Sequence, residues 1–128
     1  MKAVIMSPMN RQKESRSIAR DGRVVLVTCP SVALARKIAK AVVQKRLAAC
    51  VNVLRGPVES FFTWKGQLES VREHLLIMKT TAKRLYELER EVKRLHRYEV
   101  PEFIAIPIAG GSADYLFWLI ESVAERAN

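Results

Sequence analysis

The chain has 128 residues, which is room for one domain. Hydrophobic residues make up 49% of it and charged residues 27%, a composition that excludes a disordered protein. No apolar run approaches the roughly 20 residues that cross a bilayer, and the apolar stretch near the N-terminus is shorter than the roughly 7–15 residues of a secretory signal core. The sequence therefore predicts no membrane partner and a cytoplasmic location, where the cysteines are reduced.

The net charge is +9, and nearly half of the excess lies in residues 1–23, which carry six basic and two acidic groups. This segment shows no amphipathic period. We interpret it as a basic, disordered N-terminal extension that precedes a folded domain over residues 24–128. A basic tail can also attract nucleic acid, so nucleic-acid binding through this segment is an alternative function.

The first half of the domain reads as a strand, a helix and a long extended segment. Residues 24–29 form an apolar, β-branched run typical of a buried strand, and Ser31 can cap the helix that follows. Residues 49–64 read as a strand that is interrupted around residues 55–57 and closed by a turn at Gly66. The apolar positions of the helix recur at helical spacing: Leu34, Ala35, Ile38, Ala39, Val42, Val43 and Leu47.

The second half has a similar order and adds a helix. A strand is predicted over residues 71–80, with Thr80 or Thr81 as the N-cap of a second amphipathic helix. Residues 103–106 form the last predicted strand, and Ser112 can cap a final helix.

This order predicts an α+β fold, a ferredoxin-like βαββαβ sandwich with an additional C-terminal helix. In that fold the first strand is central and the first two helices share one face of the sheet. The strands stay apolar on both sides at residues 75–78 and 104–108, and aromatic residues cluster at Phe61, Phe62 and Trp64. Two helices do not shield all of this surface, so we expect the chain to self-associate.

Six segments, in order and in register between residues 24 and 123, share one known pattern. They are Val27–Pro30, Leu47–Asn52, Trp64–Gly66, Ile77–Thr80, His96–Glu102 and Tyr115–Leu119. Together they resemble the CutA family of divalent-ion tolerance proteins. The resemblance implies a ferredoxin-like fold assembled as a tight homotrimer, a cytoplasmic location, and a link to divalent cations, copper above all. It implies a binding protein and no enzyme.

The resemblance also suggests where a metal would bind. Some members carry paired histidines after the second helix and a cysteine in the first strand; here Leu95 and Val27 occupy the first histidine and the cysteine positions. His96 is retained, and Cys29, two residues along on the same side of the strand, is the candidate replacement for the cysteine. His96 and Cys29 are therefore the predicted metal ligands, because imidazole and thiolate suit copper.

Both residues also have structural interpretations. His96 can serve as a ring that hydrogen-bonds near a helix end, and Cys29 as a small core residue. In the metal interpretation Glu99 or Glu102 could lie near the ring of His96. His74, in the middle of a strand, is interpreted as structural or exposed.

No catalytic residues are predicted. Cys29 lies next to a helix N-terminus, but the glycines and the arginine spacing of a cysteine-based phosphate loop do not follow it. A second function class stays open: a PII-like trimeric signalling module that holds a nucleotide or another small anion between subunits, which the positive charge would suit. The hairpin aromatics are interpreted as packing between subunits, since an RNA-recognition sheet carries its aromatics on adjacent central strands.

Overall fold

Five strands and three helices make up the described part of the chain, residues 19–125 of this computed structural model. The predicted α+β order is confirmed, including the break between the second and third strands. Residues 1–18, most of the predicted extension, lie outside the described residues. The elements are β1 (Gly22–Cys29), α1 (Val32–Gln44), β2 (Cys50–Val53), β3 (Val58–Trp64), β4 (Gln67–Thr81), α2 (Leu85–Leu95), β5 (Ile104–Pro107) and α3 (Ala113–Val123).

Strand β1 lies between β4 and β5 in an antiparallel sheet of order β2-β4-β1-β5. Strand β4 is much longer than its neighbours, and its first half pairs with β3 as a hairpin that projects from the sheet. Lys65 and Gly66 form the hairpin turn with φ values of 51° and 80°, a left-handed geometry that favours glycine. The long β4 therefore connects the sheet to the projecting hairpin.

Helices α1 and α2 cover one face of the sheet. Val25, Val27 and Cys29, alternate residues of β1, are fully buried beneath them. Val24 and Leu26 face the other way and are only partly buried, so the prediction of a strand buried on both faces holds for one face of the single chain. The hydroxyl of Ser31 accepts the N–H of Leu34 at 3.2 Å, so the predicted cap of α1 is confirmed. The rest of this core consists of Leu34, Ala35, Ile38, Val42, Leu47, Ala48, Leu76, Met78, Leu88 and Val92.

Helix α3 lies over one end of the opposite face. It contacts β1 and β4, and its buried residues Leu119 and Val123 form a second cluster with Ala49, separate from the core under α1 and α2. Beyond α3 the face stays open, since Ile104 and Ile106 of β5 are 49% and 44% exposed. The additional helix thus shields part of the apolar surface and leaves the rest uncovered. None of the helices within residues 19–125 is long and apolar enough to span a membrane.

The start of α2 differs from the prediction. Thr80 is fully buried and its hydroxyl donates to the carbonyl of Leu47 at 2.6 Å, while Thr81 makes no side-chain capping bond. A 3₁₀ turn, Ala82–Arg84, leads into α2 instead. Thr81 holds the N-cap position of this turn without a side-chain bond, so the predicted position is confirmed for Thr81 and the predicted capping bond is wrong. Thr80 does not cap, because its buried hydroxyl needs a partner in the core and finds the carbonyl of Leu47.

Glu91 joins α2 to the end of α1. Its nearly buried carboxylate accepts hydrogen bonds from Arg94 at 2.5 Å and from Lys45 at 3.0 Å. The hydrogen bond from Arg94 is the largest cause that lowers the pKa of Glu91 to about 2, and Lys45 adds to it. The ionised carboxylate is therefore the form that the fold holds.

We expect Glu91→Gln to lower the Tm by a few degrees at pH 7, because the variant loses two charge-assisted hydrogen bonds. The pKa of Glu91 is lowered from 4.5 in the unfolded chain, so its contribution is complete above that pH and is lost as the pH falls towards about 2. Scanning calorimetry should show the difference in Tm shrinking between pH 6 and pH 2.

Glu89→Gln is the matched control, since Glu89 forms an ion pair with Lys93 within α2 and is more exposed. A Tm difference for Glu91→Gln that stays the same over this pH range would contradict the assigned role.

Candidate metal centre

His96 lies where α2 ends. Its backbone N–H still bonds to the carbonyl of Val92 at 2.9 Å, but its ψ of 149° is extended, so the chain leaves the helix at this residue. The side chain turns towards the end of β1. This places the imidazole beside Thr28 and Cys29, 67 or more residues earlier in the chain.

The structure brings the two predicted ligands together. The distance between Sγ of Cys29 and Nε2 of His96 is 3.7 Å. Two ligands of one tetrahedral ion, with metal–sulfur and metal–nitrogen distances of about 2.3 and 2.0 Å, are separated by about 3.5 Å. The spacing of the pair is therefore suitable for a shared metal ion.

The hydrogen bonds of the ring favour the structural interpretation. The N–H of Tyr98 donates to Nδ1 of His96 at 3.1 Å, which makes Nδ1 an acceptor and places the proton on Nε2. Nε2 then donates to the carbonyl of Thr28 at 2.7 Å. Both ring nitrogens are thus occupied, and a metal at Nε2 requires the loss of its proton and of the bond to Thr28.

Cys29 is held as a neutral thiol. The residue is fully buried, and this burial is the main cause that raises the pKa of its thiol to about 12, with the nearby charge of Glu73 as a second cause. Thiolate is the form that binds metals and attacks electrophiles. The residue therefore sits in the right place for a ligand but in the wrong protonation state.

A buried acidic group beside this pair was missed by the sequence analysis. Glu73 of β4 is 6% exposed and accepts a hydrogen bond from the hydroxyl of Tyr98; burial and this bond raise the pKa of Tyr98. Burial and the charge of Glu73 also raise the pKa of Glu102. Nothing in the sequence distinguishes Glu73 from the exposed acids of the hairpin, because its burial depends on the segment after α2 folding over it.

The two carboxylates expected near His96 do not bond to it. Within residues 19–125 the polar contacts of the ring go to Thr28, Cys29 and Tyr98, while the charge of Glu73 acts on Glu102. His74 lies opposite Cys29 in the register of β1 and β4, and its Nδ1 is 3.2 Å from the carbonyl of Leu54, in agreement with its structural interpretation. The described residues contain no group of three or more histidine, cysteine, aspartate or glutamate side chains that could hold a metal ion.

The fold and this site define a class: mixed α+β proteins with an antiparallel sheet, whose first strand meets a histidine that follows the second helix. The family model of the CutA1 divalent ion tolerance protein matches residues 23–122. The chain therefore belongs to the CutA1 divalent ion tolerance protein family, and the resemblance seen in the six segments is confirmed.

Individual relatives agree with this assignment. The chain is 50% identical over 99 residues to the divalent-cation tolerance protein CutA of Thermus thermophilus, a match that covers 77% of this chain and 95% of the relative. The crystal structure of CutA1 from Oryza sativa has a TM-score of 0.80 at 39% identity, over 85% of this chain and 99% of that one. A structure described as the periplasmic divalent cation tolerance protein CutA of Archaeoglobus fulgidus has a TM-score of 0.77 at 40% identity, over 80% of this chain and 99% of that one.

We expect Cys29 to resist thiol reagents in the folded protein. In a Cys50→Ser variant, Cys29 is the one remaining cysteine of the chain, and at pH 8 its buried thiol stays protonated. Labelling with Ellman's reagent should be negligible until guanidinium chloride unfolds the protein. Rapid labelling under native conditions would show that Cys29 is not protected by its burial. A Cys29→Ala variant is the control and gives the labelling rate of Cys50 alone.

Proposed function

We propose that the protein is a ferredoxin-like homotrimer of the cytoplasm that binds divalent cations and catalyses no reaction. The observation that carries this proposal is the family match over residues 23–122, together with relatives whose names state divalent-cation tolerance. The sheet order supports the ferredoxin-like assignment, because β1 is central. It lies between β4, which follows the hairpin turn, and β5, which follows α2. The location rests on sequence alone, as some relatives are named chloroplastic and one structure periplasmic.

A binding role suits the chemistry of the site better than catalysis does. A catalytic cysteine needs a lowered pKa and access to substrate. Cys29 has a pKa raised to about 12 and is fully buried. Its neighbour His96 uses both ring nitrogens in hydrogen bonds to the backbone, so it is not placed as a general base.

Self-association is supported by two exposed apolar surfaces. The first is the open end of the sheet, with Ile104 and Ile106 of β5. The second is one face of the hairpin, where Phe61 and Leu68 are 65% and 77% exposed and lie on the same side in the strand register. Apolar surface on two separate elements favours an assembly in which each subunit meets two neighbours, as in a closed trimer.

Light scattering should therefore give about three times the chain mass of 14.6 kDa. We expect Ile104→Glu to reduce this mass, because the substitution puts a charge in the proposed subunit interface without disturbing a buried contact of the single chain. Tyr86→Glu is the control, since Tyr86 is also an exposed large side chain, at 71%, but lies on α2, outside the sheet. A single-chain mass for the unsubstituted protein would overturn the assembly.

For the cation we propose the pair Cys29 and His96 as ligands, with copper as the preferred ion. Their 3.7 Å separation and the softness of sulfur and imidazole support this choice. Binding would release the thiol proton and shift the ring proton from Nε2 to Nδ1, so the bonds of the ring to Thr28 and to the N–H of Tyr98 would both be displaced. Additional ligands would have to come from a neighbouring subunit or from water, because two side chains do not complete a site.

Calorimetric titration with copper tests whether Cys29 and His96 bind the ion. A parallel titration with zinc is the comparison, because zinc does not oxidise thiols. We expect saturable binding that His96→Ala weakens at least tenfold. His74→Ala removes the histidine opposite Cys29 on β4 but neither proposed ligand, and should leave binding unchanged. Since the thiol of Cys29 must lose its proton, copper affinity should rise with pH between 6 and 8, by up to about tenfold per unit.

The mass of the assembly is measured by light scattering for both His96→Ala and His74→Ala, so that a change in binding is not confused with a loss of the trimer. If His96→Ala binds copper as tightly as the unsubstituted protein while keeping its mass, the pair is not the metal site.

A further inference from the structure

A cavity of about 300 Å³ lies between the hairpin and the segment that follows α2. The strand register explains which hairpin residues reach it. Phe62 pairs with Glu69, and Trp64 and Val71 lie on the same side of the two strands. Phe61 and Leu68 point to the other side, so the cavity is separate from the apolar hairpin surface proposed for self-association. Its volume falls at the lower end of the roughly 300–1,000 Å³ found for small-molecule pockets.

The walls of the cavity are aromatic and its charges are all negative. Phe62 and Trp64 of β3 and Tyr98 provide three aromatic rings, and Glu69 and Glu99 provide two exposed carboxylates. Within the described residues no lysine, arginine or histidine lines it. This composition is unusual for a chain whose net charge is +9.

The ring of Tyr98 is fixed in place before any ligand arrives. Its hydroxyl donates to the buried carboxylate of Glu73, its backbone N–H bonds to His96, and its ring lies 4.8 Å from the imidazole. Burial and the bond to Glu73 raise the pKa of Tyr98, so the ring is neutral. A wall that is already ordered loses little conformational freedom when a ligand binds.

We propose that this cavity is a binding site for small quaternary alkylammonium cations. The faces of aromatic rings attract a cation that has no hydrogen-bond donors, and the carboxylates at the rim add long-range attraction. A bare divalent metal ion is a poorer fit, because three aromatic walls leave most of its coordination positions without oxygen, nitrogen or sulfur. Neither Cys29 nor His96 lines the cavity, so the inference does not depend on metal binding by that pair; Nδ1 of His96 contributes only by holding the backbone of Tyr98.

Tryptophan fluorescence can report binding directly. The chain has two tryptophans, and Trp118 lies on α3, so Trp118→Phe leaves Trp64 as the reporter in the cavity wall. Tetramethylammonium chloride is the probe, at ionic strength held constant with sodium chloride. tert-Butanol has the same branched shape without the charge. We expect a saturable change with tetramethylammonium and at least a tenfold weaker effect with tert-butanol.

Charge variants locate the site. We expect Glu69→Gln and Glu99→Gln each to weaken tetramethylammonium binding about threefold or more, because each removes a carboxylate at the cavity. Glu59→Gln is the matched control: Glu59 is on the same strand as Phe62 but pairs with Arg72 on the opposite face of the hairpin, and its loss should leave binding unchanged.

Calorimetry on the unsubstituted full chain repeats the measurement without the Trp118 substitution, and Trp64→Leu should abolish the heat of binding. Equal affinity for tert-butanol, an equal effect of all three glutamate substitutions, or no saturable binding in either assay would overturn the proposal.

Discussion

The imidazole of His96 holds together two parts of the chain that lie far apart in sequence. One nitrogen bonds to the carbonyl at the end of β1, and the other accepts the backbone N–H of Tyr98. These bonds fix the direction in which the chain leaves α2. The position of Tyr98 over Glu73 follows from that direction, and so do the closeness of His96 to Cys29 and one wall of the cavity beside the hairpin.

This arrangement places two different sites on either side of the segment that follows α2. The nitrogens of His96 and the sulfur of Cys29 lie on the side of β1, in a buried environment that favours neutral forms. The aromatic cavity lies on the side of the hairpin, with exposed carboxylates. A metal ion that displaced the bond from Nε2 to Thr28 would also move the ring that supports Tyr98. The two proposed sites are therefore coupled through the same histidine, although each is tested separately.

Most of the secondary structure could be predicted from local patterns. Ser31 and Ser112 were identified as helix caps because a serine before an apolar helical pattern accepts a nearby backbone N–H, and both do so. Thr80 was assigned the same role and does not have it, because its hydroxyl is buried against Leu47. A capping pattern in sequence does not reveal whether the side chain faces the core. The pairing of Cys29 with His96 came from the family resemblance, and their protonation states could not be predicted.

The sequence by itself determined the order of strands and helices, the apolar surfaces that a single chain leaves exposed, and the family. These properties depend on side-chain periodicity and on motifs, which are local. Only the tertiary structure decided that Glu73 is buried, that Cys29 stays protonated, and that Glu69 and Glu99 share a cavity with Phe62, Trp64 and Tyr98. Burial and electrostatic environment depend on which segments fold over one another, and the segment after α2 is positioned by contacts with residues 67 or more positions away.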